Sequence, residues 1–368
     1  MTNTDSGSNI NHVYRLQYTG CLFGEEAMKT STPIKTDFTV PGQRPTLRDV
    51  ARSLNVSHTT VSRVLNGQGA DFISAETRAR VIEAARAMRY RPNRAARTLA
   101  TGKTGFISLW IGDLFHPYYA RTMQHVSREI EGSGYETVVF HVRNGSVSPT
   151  TLFTAADGLL TLDWAGVVDS YLEYETHPLP LVSMGLDCTR RADYVAIDLY
   201  PGAVEAVQHL VETGRRRIVY LTHSESVKSN EPRFRAYKDV MAQAGLAPEV
   251  METEINNRPK CREDVSAYVT ERGSPDAFFC LSDDMAMGTY RALCDLKRRV
   301  PEDVAIVGCD GIEEAEYLEK PLSTISLPIP EMCRIATDFL LRRIADPTLP
   351  QQEAVLQPTL LRRESSQI

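Results

Sequence analysis

The chain has 368 residues, 42% of them hydrophobic, too many for one ordinary domain and enough to build a substantial core. Its formal charge of −6 is uneven: residues 44–103 carry eleven Arg and one Lys against four acids, a net of +8, which leaves −14 for the remainder. The seven cysteines show no C-x-x-C pair and no Cys/His spacing that suits zinc, and there is no apolar run of roughly 18 residues, so zinc-ribbon and membrane-spanning classes are excluded.

The first 27 residues lack the basic start and continuous apolar stretch of a secretory signal, so a cytoplasmic protein with reduced thiols is expected, with no metal and no cofactor. Residues 1–43 are polar and read as a flexible tail. A basic module on an acidic body then points to a polyanionic partner for the module alone, with a solvated basic face as the plain alternative. After the N-cap Thr46, Leu47, Val50, Ala51 and Leu54 form the amphipathic stripe of a short helix. Asn55-Val56 makes a tight turn, Ser57 caps a second series of Val61, Val64 and Leu65, and Asn66-Gly67 closes it. A third series, Val81, Ile82, Ala85 and Met88 after the cap Ser74, completes a three-helix core. The second helix turns His58, Thr59, Thr60, Ser62 and Arg63 away from its apolar side, the kinds of side chain that read base edges and phosphates in a major groove. Beyond Pro92, residues 93–100 are good helix formers with too few apolar groups to bury a face, a helix that folds when DNA is present.

TLRDVARSLNVSHTTVSRVLNG, followed by ISAETRARVIEAARAMRYRPNRAARTLATGKTG, resembles the head and hinge of lac repressor-type regulators over about 60 residues, with a loop at Gly67–Ile73 a residue or two longer than usual. The resemblance implies a helix-turn-helix head at 44–92 and a hinge helix at 93–104. By it, His58 and Thr59 discriminate operator sequence, while Ser57, Thr60, Ser62, Arg63 and Asn66 make further base and phosphate contacts. His58 either stacks or bonds as a neutral ring or makes affinity respond to pH. Asn93, Arg94, Ala96 and Arg97 fall in the hinge, and Leu99 matches the apolar wedge that unstacks a base step in the minor groove.

From Phe106, the strand-like runs FISLWI, ETVVFHV, GLLTL, LPLVSM, RIVYLT, AFFC and DVAIVG alternate with helical stretches, which argues for an α/β body of parallel sheets wrapped by helices. The resemblance continues through residues 105–368 and implies the two-lobed fold of periplasmic sugar-binding proteins, with three crossings between lobes and a ligand at the carboxyl ends of the strands. It places Tyr118, Tyr119, Asp163, Arg233 and Asp310 in the effector cleft, with Ser229 as a candidate from the loop before Arg233. Asp283 either caps its helix or touches ligand, and the stretch Asn144–Gly158 is too short for the helix that relatives place there. Nucleophile elbow, P-loop, dinucleotide and metal motifs are missing from the sequence, so no catalytic residue is expected. The expectation is a homodimeric repressor on a pseudo-palindromic operator, tuned by a small sugar-like effector. A solute-binding protein shares the body fold but has no use for a basic head.

Overall fold

The computed structural model describes residues 45–66, 72–91, 98–99, 101–142, 155–255 and 257–367; the expected tail, most of the Gly67–Ile73 loop and most of the shortened Asn144–Gly158 stretch lie outside them. Packing divides the chain into two units, residues 1–94 and 95–368. Among the described residues no helix is long and apolar enough to cross a membrane.

Among the described residues the first unit holds three helices: α1 (Leu47–Leu54), α2 (His58–Leu65) and α3 (Ala75–Ala87). Local chemistry starts each one. Thr46 and Asp49 form a reciprocal capping box, Ser57 accepts from the Thr60 amide, and Ser74 accepts from the Thr77 amide. Asn55 takes a left-handed conformation, φ 53°, and so ends α1 within the tight turn. The core is Val50, Ala51, Val61, Val64, Val81, Ala84 and Ala85. Ile82 corrects the expected third stripe: it is 40% exposed, and Ala84 takes the inward place. The inward series is therefore 81, 84, 85, 88, the spacing that a 3.6-residue period demands, and residue 82 lies a quarter turn away.

The second unit begins with β1 (Phe106–Ile111), α4 (Pro117–Ile130), β2 (Glu136–His141), β3 (Gly158–Leu162), α5 (Ala165–Tyr174), β4 (Leu181–Gly185) and β5 (Asp193–Ile197). Next come α6 (Leu199–Glu212), β6 (Ile218–Thr222), α7 (Ser224–Ser229), α8 (Pro232–Gln243), β7 (Glu249–Glu252), α9 (Arg258–Arg272) and β8 (Ala277–Cys280). The chain closes with α10 (Asp283–Asp295), β9 (Ala305–Asp310), β10 (Ser323–Ser326), α11 (Ile329–Ala345), β11 (Glu353–Leu356) and β12 (Thr359–Leu361). Two six-stranded sheets result, in the orders β11-β5-β4-β3-β1-β2 and β12-β10-β9-β8-β6-β7. All pairings are parallel except β10 with β12. Both faces of a parallel sheet are covered, so β3, β4, β5, β6, β8 and β9 are buried at every position.

The chain passes from the first sheet to the second after β5, returns after β10 and leaves again after β11, the three crossings that the resemblance implied. The returning segment is fastened electrostatically. Asp193, at the start of β5, takes both Nε and Nη2 of Arg343 from α11, at 3.0 and 2.8 Å, and also the amide of Gln352 just before β11. Burial by itself would raise Asp193, but these donors outweigh it and hold the carboxyl below its usual range. A similar clamp sets the first strand: Asp157 accepts from the Thr104 and Gly105 amides at 2.8 and 2.9 Å, where the chain enters β1.

Removing one partner of the first clamp strands a buried charge. Arg343→Ala should lower unfolding free energy by about 3–5 kcal/mol, read by chemical denaturation of the full chain. A loss below about 1 kcal/mol would show that β11 is held by its strand pairing instead.

Candidate functional site

The exposed side of α2 presents Ser57, His58, Thr59, Arg63 and Asn66, with Thr60 and Ser62 half-buried beneath them. Ser57 Oγ lies 2.8 Å from Thr60 Oγ1, and Asn66 Nδ2 donates to Ser62 Oγ at 3.3 Å, so these four order one another. Among the described residues no hydrogen bond occupies the side chains of His58, Thr59 or Arg63. A short imidazole, a hydroxyl and a guanidinium on one helix face form a set able to bond base edges and phosphates. Thr98 and Leu99 are helical, the Gly102 amide donates to the Thr98 carbonyl at 2.8 Å, and Leu99 is 89% exposed. Asn93, Arg94, Ala96 and Arg97 lie outside the described residues.

In the second unit, polar groups gather at the carboxyl ends of both sheets. After β1, α4 opens with Pro117, and its first turn carries the buried Tyr118 and the half-buried Tyr119, their rings 5.0 Å apart and edge to face. After β3, Asp163 and Trp164 both have positive φ, 62° and 65°. Asp163 Oδ1 accepts from the Leu186 and Asp187 amides at 2.7 and 3.2 Å, which fastens the end of β4. Gly185 (φ 117°) is required at that turn, because a Cβ there would lie 2.3 Å from Asp163 Oδ1 and 3.1 Å from the Tyr118 hydroxyl. Burial pushes the Asp163 carboxyl up to about 6, against the pull of those amides. The hydroxyl of Tyr118, Nδ1 of His116 and Nε1 of Trp164 are buried without a partner among the described residues.

From the second lobe, Arg233 opens α8. Its Nε donates to Glu231 Oε2 at 2.9 Å and its Nη1 to the Leu281 carbonyl at 2.7 Å, while Glu231 also accepts from the Tyr220 hydroxyl at 2.5 Å. Burial opposes the charge on Arg233, but Glu231 overrides it and keeps the guanidinium ionised. Asp310 ends β9 at φ 125°, a conformation L-residues rarely adopt, followed by Gly311 at φ 69°. Burial and the neighbouring charge of Asp283 push Asp310 well above the usual carboxylate range, against the pull of Arg233.

Asp283 resolves differently from its sequence reading: Ser282 caps α10 through the Met285 amide at 3.2 Å. Asp283 Oδ2 accepts from the Ile312 amide in the loop beyond Asp310 at 2.9 Å, and its Oδ1 accepts from Thr324 Oγ1 on β10 at 2.6 Å. Ser229 does not join the cluster; it is exposed at the end of α7 and bonds its own helix at the Ser226 carbonyl. Two participants escaped the sequence. Glu231 was signalled only by its place two residues before Arg233. Arg121, on α4 in the first lobe, donates to the Gly311 carbonyl in the second and so bridges the lobes beside Asp310. Among the described residues no group of three or more His, Cys, Asp and Glu side chains is placed to hold a metal ion.

Residues 46–93 match the family model described as bacterial regulatory proteins, lacI family, and residues 207–366 match a periplasmic binding protein-like domain. The chain is 30% identical over 329 residues to the ribose operon repressor of Haemophilus influenzae, covering 87% of this chain and 98% of that one. In three dimensions it is similar to the lac repressor dimer bound to operator, with a TM-score of 0.74 at 23% identity, covering 89% of this chain and all of that one. It is also similar to the transcriptional regulator CelR in complex with cellobiose, with a TM-score of 0.59 at 28% identity, covering 88% and 100%. The capped reading helix, the two-lobed body and these matches converge: the chain belongs to the lacI family of bacterial regulatory proteins and is a DNA-binding transcriptional regulator.

Proposed function

We propose that the chain is a cytoplasmic homodimeric repressor that binds a pseudo-palindromic operator through α2 and the hinge and releases or tightens on it when a small neutral sugar enters the body's cleft. The observation that carries this reading is that Asp163, Tyr118 and Tyr119 from one lobe and Arg233 and Asp310 from the other lie near enough at the strand ends to feel one another's charge. Such a set supplies acceptors, a fixed donor and ring faces, the partners that a sugar's hydroxyls and C–H faces need. The relative named as a ribose operon repressor and the neighbour holding cellobiose support a saccharide over other polar ligands. In this reading residues 44–92 are the head, 93–104 the hinge and 105–368 the sensing and dimerising body. His58 and Thr59 set sequence preference, Ser57, Thr60, Ser62, Arg63 and Asn66 add groove and phosphate contacts, and Asn93, Arg94, Ala96 and Arg97 approach the minor groove with Leu99. The cleft acts by binding and catalyses nothing.

The exposed Leu99 fits a wedge, because an apolar side chain 89% in solvent gains by entering a base step. Selection of random duplexes by the full chain should yield a pseudo-palindrome. On that duplex, Arg63→Ala and Leu99→Ala should each weaken binding at least tenfold, which corresponds to about 1.4 kcal/mol. Unchanged gel-shift affinity in both variants would overturn the DNA assignment.

Sugar affinity should also have an acid limb. Asp163 is raised to about 6, so it accepts a hydroxyl proton above that pH and takes up its own proton below it. Affinity measured by calorimetry therefore falls as pH drops through 6, by about tenfold per unit at the limit. Asp163→Asn retains an oxygen for the Leu186 and Asp187 amides but cannot titrate, and should flatten the limb. A limb that persists in this variant would remove Asp163 from the ligand contacts.

A further inference from the structure

Arg121 makes a contact that neither the packing of α4 nor the proposed ligand set requires. It lies half-buried on α4, one turn beyond Tyr118, and its Nη1 donates to the Gly311 carbonyl at 2.5 Å. Away from the three crossings, this is the one hydrogen bond or ion pair that joins the two lobes among the described residues, and no carboxylate there pairs with the guanidinium. From this geometry we infer that the bond is a latch built into the body. It sets the angle between the lobes, and through that angle Arg121 biases the chain between states of different operator affinity before any effector binds. The latch works through the chain alone, so it stands or falls apart from the sugar reading.

A latch needs both of its ends anchored, and here they are. On the acceptor side, the Gly311 amide donates to Thr324 Oγ1 at 3.2 Å, Thr324 Oγ1 donates to Asp283 Oδ1 at 2.6 Å, and the Ile312 amide donates to Asp283 Oδ2 at 2.9 Å. Gly311 has a φ of 69°, and a Cβ there would lie 2.7 Å from Ser326 Oγ and 2.8 Å from Ser326 Cα, so the turn is pressed against β10. On the donor side, α4 buries Tyr118, Thr122, Val126 and Ile130, and Cys333 Sγ of α11 donates to the Thr122 carbonyl at 3.7 Å. Neither end can drift to follow the other, so the bond persists only over a narrow range of lobe angle. Its position gives it leverage. Strands β5 and β11, where the chain leaves and re-enters the first lobe, form one edge of the first sheet. β1, which leads into α4, stands three strands further on, about 14 Å at the usual strand spacing. A bond that far from the crossings resists rotation of the lobes more strongly than one beside them. The chain from the head enters the first lobe at the Thr104–Gly105 segment held by Asp157, so turning that lobe moves the point to which the head is attached. A hydrogen bond from a charged donor shifts a two-state equilibrium by roughly tenfold, which is the size of an ordinary allosteric coupling.

The test uses the full chain with three substitutions: Arg121→Met keeps the apolar stem and removes the donor, Arg121→Gln shortens the side chain, and Arg121→Lys keeps a charged donor. Small-angle scattering reads the lobe angle, and fluorescence anisotropy on the duplex obtained by selection reads operator affinity with no sugar added. Arg121→Met and Arg121→Gln should each enlarge the radius of gyration and change operator affinity by about tenfold, and by no less than about threefold. Arg121→Lys should stay closer to the parent chain in both readings. The slope of affinity against salt should not change, because Arg121 displaces no counterion from DNA. In a variant that still unfolds cooperatively, an unchanged radius of gyration or a smaller change in operator affinity overturns the latch. A reduced salt slope also overturns it, because Arg121 then lies against phosphate. If Arg121→Met fails to fold, Arg121→Gln decides by the same readings. An Arg121→Lys chain no nearer the parent than Arg121→Met assigns the effect to packing and overturns the bond as its cause.

Discussion

Charge taken out of water at the carboxyl ends of two parallel sheets is the constraint on which the body depends. A buried ion is tolerated only where its oxygens or nitrogens are met, and each lobe meets that demand differently. In the first, Asp163 is held by the amides of the β4 turn, so the carboxyl and the turn define each other. In the second, Glu231 pairs Arg233 with a side-chain exposure of 13% on each partner, and Asp283 ties the backbone after Asp310 to β10 through Thr324. The strained φ of Asp310 is tolerable because Asp283 and Thr324 fix the residues that follow. In the proposed reading the fold thus holds its binding groups in place before any ligand arrives, which reduces the ordering that binding would otherwise require.

The same balance explains why the head can be so small. Among the described residues its core has seven buried residues, all Val or Ala, and little apolar area to offer. Three side-chain caps and one left-handed Asn compensate locally, each worth on the order of 1 kcal/mol. Because the caps lie at helix starts, the outward face of α2 remains available for polar residues that contribute nothing to the core. His58, Thr59 and Arg63 lie outside the core and make no cap, so they can vary without unfolding the head, whereas Ser57 also starts its helix.

Features that depend on neighbours in sequence were legible from the sequence. Thr46, Ser57 and Ser74 announced their helices because capping is a contact across three residues, and the apolar runs announced β1, β3, β6, β8 and β9 because buried parallel strands are apolar throughout. The phase of α3 was misjudged at Ile82 because a branched aliphatic looks more core-like than Ala84, whereas helix geometry, not hydrophobicity, chose between them. The Asp193–Arg343 clamp and the Arg121–Gly311 bridge join residues 150 and 190 apart, and no local pattern encodes such pairs. The cleft residues were legible only through family resemblance. An isolated Asp, Arg or Tyr carries no sign of burial, and the role of Glu231 as the partner of Arg233 emerges only when both are in place.

The arrangement of the cleft also limits what it can sense. Arg233 is a fixed donor, Asp163 is an acceptor above pH 6, and Asp310 is pushed toward its protonated, donating form by burial and Asp283. A simple anion would match Arg233 but meet the charges of Asp163, Asp283 and Asp284, and a simple cation would meet Arg233 and Arg258. A neutral polyol offers both a proton and a lone pair at each hydroxyl, so it can match donor and acceptor without importing charge. In the proposed reading its contacts would draw on both lobes, while Arg121 already joins α4, the helix of Tyr118 and Tyr119, to the turn of Asp310. A ligand can shift a conformational equilibrium only by binding one state better than another. In the proposed reading the differential contacts lie on the two lobes, and β1 runs through the first of them: the turn after it carries Asp113, and before it stands the Thr104–Gly105 segment clamped by Asp157.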